Sequence, residues 1–81
     1  MRIRVHVTPR QGVLDPQGKA VAGGLRSLGF DEVELVRVGR VIDVTVSGLT
    51  AEQALARGRQ MGRDLLANGV VEDFDVHVIQ D

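Results

Sequence analysis

The first apolar pattern in the chain is Ile3-Arg4-Val5-His6-Val7-Thr8, which alternates with period two and sets Ile3, Val5 and Val7 on one face against Arg4, His6 and Thr8 on the other. It predicts a half-buried strand. Pro9 and Gly12 break the alternation, and Asp15-Pro16 then puts an N-cap acceptor directly before the one helical position that tolerates proline. A helix is predicted from Pro16 to a stop at Gly29, with Val21, Leu25 and Leu28 as a narrow apolar stripe. Its Gly23-Gly24 pair costs about 1 kcal/mol per residue relative to alanine, so another backbone is expected close against that bare patch.

Residues 32–47 read as two antiparallel strands joined at Val38-Gly39-Arg40-Val41, with Gly39 supplying the positive φ of a tight turn. The second arm alternates cleanly, with Ile42, Val44 and Val46 inward and Asp43, Thr45 and Ser47 outward. The first arm does not: Val33 and Leu35 share one phase and Val36 and Val38 the other, which fits either a bulge or a strand apolar on both faces. Thr50-Ala51-Glu52-Gln53 matches a capping box, and Ala54, Leu55, Gly58, Met61, Gly62, Leu65 and Leu66 then keep helical spacing. Asn68-Gly69 is expected to close this helix in a left-handed turn. From Val70 to Ile79, Phe74, Val76 and Val78 alternate with Asp73, Asp75 and His77, which predicts a last strand.

The order βαββαβ with right-handed crossovers implies an α+β fold of the ferredoxin-like kind, in which two helices cover one face of a four-stranded antiparallel sheet. One domain spans 1–81. In that arrangement the first and last strands are neighbours, so Arg2, Arg4 and His6 lie beside Asp73, Asp75 and His77 and opposite charges pair between them. A chain of 81 residues hides only about 60 to 65% of its unfolded surface, so self-association or a partner is expected to complete it. The sequence has no cysteine, which removes disulfides, thiolate zinc sites and a cysteine nucleophile, and which suits the cytoplasm. Nothing resembles a signal peptide or a membrane span of about 18 apolar residues, so a soluble, unexported protein is expected. Ten basic residues against eleven acidic ones, with two phenylalanines as the only aromatics, disfavour nucleic acid.

Candidate chemistry is sparse. His6 and His77 can face each other on adjacent strands with Asp75 as a third ligand, but two histidines on a solvated face are more often plain surface residues, and no metal site is assigned. Ser27 and Ser47 have no histidine near them in sequence. An acylphosphatase-like site would use Arg10 in the first loop together with an asparagine, yet the only asparagine, Asn68, is expected far from that loop. Arg57, Arg59 and Arg63 fall on the second helix with Glu52 and Asp64 and read as a solvated, ion-paired face. No catalytic or cofactor-binding residue is assigned.

Two stretches go beyond a generic fold: Val13-Leu14-Asp15-Pro16-Gln17-Gly18 and Leu65-Leu66-Ala67-Asn68-Gly69-Val70-Val71-Glu72-Asp73-Phe74. Together with Glu32-Val33 and Val36-Arg37-Val38-Gly39-Arg40 they resemble the PurS family over essentially the whole chain. The resemblance implies a non-catalytic assembly subunit of phosphoribosylformylglycinamidine synthase, which bridges the PurL synthetase and the PurQ glutaminase in de novo purine biosynthesis. It implies a homodimer that can pair again, no cofactor on this chain, and ATP and magnesium used by the complex. Asp15-Pro16 and Asn68-Gly69 are also ordinary helix boundaries. Leu14, Asp15, Gln17, Arg37, Asn68, Glu72, Asp73 and Phe74 are the candidate subunit contacts. The Gly23-Gly24 pair and the arginine-rich second helix depart from the family pattern. The competing class is a small-molecule-sensing βαββαβ module that binds ligands between paired domains.

Overall fold

The computed structural model describes residues 1–10, 12 and 15–80. Its elements are β1 (Arg2–Pro9), α1 (Pro16–Ser27), β2 (Arg40–Thr45), α2 (Ala51–Met61) continued by a π-helical turn at Gly62–Leu66, and β3 (Glu72–Ile79). The sheet is antiparallel with order β2-β1-β3. Because β1 is central, the alternation read in its sequence buries Ile3, Val5 and Val7 completely.

The second helix seats on this strand as its pattern requires. Thr50 Oγ1 accepts from the Gln53 amide at 3.1 Å while Gln53 Oε1 accepts from the Thr50 amide at 3.0 Å, which completes the capping box. Ala54 is fully buried in the cluster with Ile3, Val5 and Val7, and Met61, Leu66, Phe74, Val76 and Val78 pack around it. Two glycines let the helix backbone lie directly on the sheet. A Cβ on Gly58 would stand 2.6 Å from Val76 Cγ1 and 2.7 Å from Ile3 Cγ2, and one on Gly62 would run into the Phe74 ring. Phe74 is therefore part of the core. The helix does not end in a left-handed Asn68-Gly69 turn. Ala67 turns extended at φ −122° and ψ 147° after the π-helical turn, and neither Asn68 nor Gly69 has positive φ.

The predicted fourth strand is absent among the described residues. Residues 33–39 join no ladder, and side chains bond some of their backbone groups instead. Arg26 donates to the carbonyls of Val33 and Glu34 at 2.9 and 3.0 Å, and the Val38 amide donates to Asp15 Oδ2 at 2.8 Å. A segment apolar in both phases has no single face to lay on a sheet. Gly39 is not a positive-φ turn either, since that conformation falls at Gly12, Gly29 and Gly48. Glycine is needed at 39 because a Cβ there would meet the Val7 carbonyl.

The expectation that both helices cover one sheet face fails for α1. Asp15 caps it as predicted, accepting from the Gly18 amide at 2.9 Å, and Gly29 closes it with φ 99°. Its buried residues are Gly18 and Ala22, however, while Val21 and Leu28 are exposed and none of its residues joins the apolar cluster. The close backbone contact lies at Gly18, whose Cβ would strike the Val36 carbonyl, and not at Gly23-Gly24, which have open space around them. With α1 packed on residues 33–39 instead of on the strands, the Cα radius of gyration is 15.9 Å, against about 12 Å for a compact domain of this length. No helix among the described residues is long and apolar enough to cross a membrane.

Candidate functional site

The segments singled out in the sequence converge on one end of the sheet, where β1 finishes and β3 begins. Asp15 is the first tie there. Its two carboxylate oxygens bind different parts of the chain, Oδ1 the Gly18 amide inside α1 and Oδ2 the Val38 amide 23 residues on. These two amides, Gly18 first, hold the carboxyl below the usual carboxylate range. Arg37 reaches the Pro9 carbonyl at 3.1 Å and so fixes the same segment to the end of β1.

Glu72 is the second tie. It accepts from Arg40 at 2.6 and 3.0 Å and from the Asn68 amide at 2.8 Å, and Arg40 also donates to the Leu66 carbonyl at 2.7 Å. The Arg40 guanidinium, then the Asn68 amide, keeps the Glu72 carboxyl below its usual range. Asn68 Oδ1 accepts from the Val70 amide at 3.0 Å, so this side chain shapes its own turn. Asp73 is exposed and meets Arg10 at 3.1 Å, while the Arg10 amide donates to the Val71 carbonyl at 2.9 Å.

Of the eight candidate contacts, Asp15, Arg37, Asn68, Glu72 and Asp73 thus belong to this belt of ties. Phe74 packs inward from its edge, Gln17 is exposed, and Leu14 lies outside the described residues. Asn68 also stands nearer the first loop than expected, three residues from the carbonyl that holds Arg10. Both side chains are already engaged, Asn68 with Val70 and Arg10 with Asp73, which leaves the acylphosphatase-like pairing unformed. The cross-strand charge pairing is corrected as well. The first and last strands are neighbours, but Arg4 forms a two-pronged bond to Asp43 on β2 at 2.8 and 3.0 Å, and Arg2 lies 3.6 Å from the same carboxylate.

Two clefts flank the belt. One, of about 380 Å³, opens between α1, residues 34–37 and the end of β1, and carries Lys19, Arg10, Arg26 and Arg37 against Asp15 and Glu34. The other, of about 520 Å³, is walled by Val44, Leu49, Met61, Leu65 and Leu66 on the side of β2, where the expected helix cover is missing. Sequence reasoning missed it because it assumed α1 would fill that place.

A small three-stranded α+β module, tied by polar side chains around one sheet end and only half covered over its apolar side, fits the class of subunits completed by another chain. The comparisons name the class more closely. The PurS family, described as phosphoribosylformylglycinamidine (FGAM) synthase, matches residues 2–80. The subunit PurS of this synthase from Synechocystis is 42% identical over 71 residues, covering 88% of this chain and 71% of the relative, and that from Bacillus subtilis is 35% identical over 77 residues, covering 95% and 90%. Among solved structures, PurS of Methanocaldococcus jannaschii superposes with a TM-score of 0.84 at 29% identity, covering 99% of this chain and 96% of that one. A chain in the structure of PurLQS from Thermotoga maritima superposes with a TM-score of 0.83 at 28% identity, covering 96% and 95%. The chain belongs to the PurS family and is a PurS-type subunit of FGAM synthase, a ligase of purine biosynthesis.

Proposed function

We propose that the chain is the non-catalytic assembly subunit of its synthase, holding a PurQ glutaminase against a PurL synthetase. The complex converts formylglycinamide ribonucleotide to the amidine, using ATP with magnesium and ammonia released from glutamine. The larger chains carry that chemistry, and this one binds no cofactor of the reaction. It helps to enclose the ammonia path, because free ammonia would be protonated and lost in water. The reading sets it in the cytoplasm with the other subunits.

The observation that carries this reading is the likeness, along nearly the full chain, to a chain of PurLQS from Thermotoga maritima. The belt of ties supports it. Asp15 and Arg37 tie α1, residues 33–39 and the end of β1 together, and Asn68 and Glu72 shape the turn before β3, so they present the contact surface more than they form it. Gln17 and Asp73 are exposed beside them within reach of a partner, Asp73 while paired with Arg10. Self-pairing accounts for the remaining apolar surface. A second copy of the chain, as a homodimer that can itself pair, covers the cleft beside β2 and the exposed Leu28 and Leu35.

The test is synthesis of the amidine by purified PurL and PurQ, with and without this chain, using glutamine and then free ammonia as the nitrogen source. The expected outcome is restoration confined to glutamine. Equal rates with and without the chain on glutamine, together with no three-way complex on sizing, would overturn the bridging role.

A further inference from the structure

Strand alternation places His6 of β1 and Asp75 and His77 of β3 on the sheet face opposite the core, and the register sets His6 directly across from Asp75 with His77 two residues along. The two imidazoles meet with centroids 5.2 Å apart and planes at 72°. One ligand atom from each of the three residues lies within 4.8 Å of the others. We propose that His6, Asp75 and His77 form a binding site for a borderline divalent transition metal, zinc foremost, on the open face of the sheet.

The spacing suits a shared cation. His77 Nε2 stands 3.4 Å from Asp75 Oδ2, at the long end of hydrogen bonding. It matches the separation of roughly 3.4 Å between two ligands on a tetrahedral zinc with bonds near 2.0–2.1 Å. His6 closes the remaining gap by rotating its side chain, while the ladder from Arg2↔Ile79 to Pro9↔Glu72 holds the three backbones in place. Two imidazoles and one carboxylate suit zinc, nickel, copper or cobalt and not magnesium or calcium, which demand more oxygen ligands. Three protein ligands also leave a coordination position open to water or to a group from another chain. The cation nearest in register, Arg4, opposes a metal, but its guanidinium lies against the Asp43 carboxylate.

The sequence makes the test clean, because it holds two histidines and no cysteine. Histidine ligation within one chain can arise only here. The untagged chain is titrated with zinc by calorimetry and with cobalt by visible absorption, and saturable binding of one metal per chain is expected, with no heat from magnesium at the same concentrations. Losing a group that only orients a ligand weakens metal binding by about 10–100-fold. His6→Ala and His77→Ala should therefore each weaken it about tenfold or more. Both positions face away from the core, and circular dichroism of each variant checks that the fold is kept. Absence of saturable binding, unchanged affinity in both variants, or one metal per two chains would overturn the site.

Discussion

The two helices of this chain are solved in opposite ways. Helix α2 is fixed by shape: Ala54 and Gly58 press its backbone onto Ile3 and Val76, and the apolar cluster is continuous from the strands into the helix. Helix α1 is fixed by polar ties to residues 33–39, through Asp15 at one end and Arg26 at the other, while Val21, Leu28, Phe30 and Leu35 remain exposed. The α2 half holds the buried core, although Leu65 and the cleft beside β2 stay open to solvent. The α1 half is an arm whose direction is set internally but whose apolar surface needs another chain.

If this division is right, the largest losses of monomer stability come from the α2 half. Ile3→Ala, at a fully buried position, should cost about 2–5 kcal/mol in chemical denaturation. An equally large cost at an exposed arm position such as Leu28 would break the comparison. Gly58→Ala comes next. Its Cβ would lie 2.6 Å from Val76 Cγ1, so helix and sheet must part, and the expected cost is about 1–3 kcal/mol in the same measurement. The same change at Gly23, which faces open space inside α1, should instead stabilise by roughly 0.4–1 kcal/mol.

This division was only half legible in the sequence. Wherever a strand has one apolar phase, as in β1, β2 and β3, its pattern predicts both the element and the buried face, because a single buried face admits one register. Helix α2 was readable as a helix buried at Ala54, Gly58 and Gly62, but Leu65, read in the same stripe, is exposed. The capping box and the Asp15-Pro16 start were readable for a similar reason, since the bonds that satisfy them are local. Residues 33–39 were not, because Val33, Leu35, Val36 and Val38 offer two phases and the side chains that bond their backbone, Arg26 and Asp15, lie in another element, 7 to 23 residues away. Nor was the place of α1. Its buried positions, Gly18 and Ala22, carry almost no hydrophobic signal, and the louder Val21 and Leu28 point outward. The polar belt followed from resemblance to a family, and pattern alone revealed only its two helix boundaries.

Acid should separate the two halves. The Asp15 and Glu72 carboxyls are held below their usual range in the fold, so the stability they contribute is complete above the ordinary carboxylate pKa of about 4 and is lost as pH falls through their lowered values. In the α2 half Asp43 and Glu72 are lowered in the same way, by Arg4 and Arg40 at the surface, but no charged side chain is buried in the core beneath them. Between pH 7 and about 5 stability should stay level on their account, and below about pH 4 the amides of Gly18 and Val38 should gain exchange, after correction for intrinsic rates, before that of Val5 does. Asp15→Ala should give the same ordering at neutral pH, with a drop in melting temperature of a few degrees. Simultaneous exchange of all three amides would mean that arm and core unfold as one unit.

The smallest expected effect on the monomer is the most telling about assembly. Leu35 is 70% exposed and belongs to the segment that joins no ladder. Leu35→Lys removes apolar surface that is already in water, so the folded monomer should change by no more than about 0.5 kcal/mol. In an assembled chain the same lysine enters a desolvated contact without a partner, and an unpaired charge placed there costs far more than the lost leucine contacts. Sizing at a series of concentrations should then show the oligomer dissociating at a concentration where the native chain stays assembled, with the helical signal of the monomer intact. If assembly persists while Leu65→Lys in the cleft beside β2 abolishes it, the arm does not seal the oligomer and the contact lies over β2 alone.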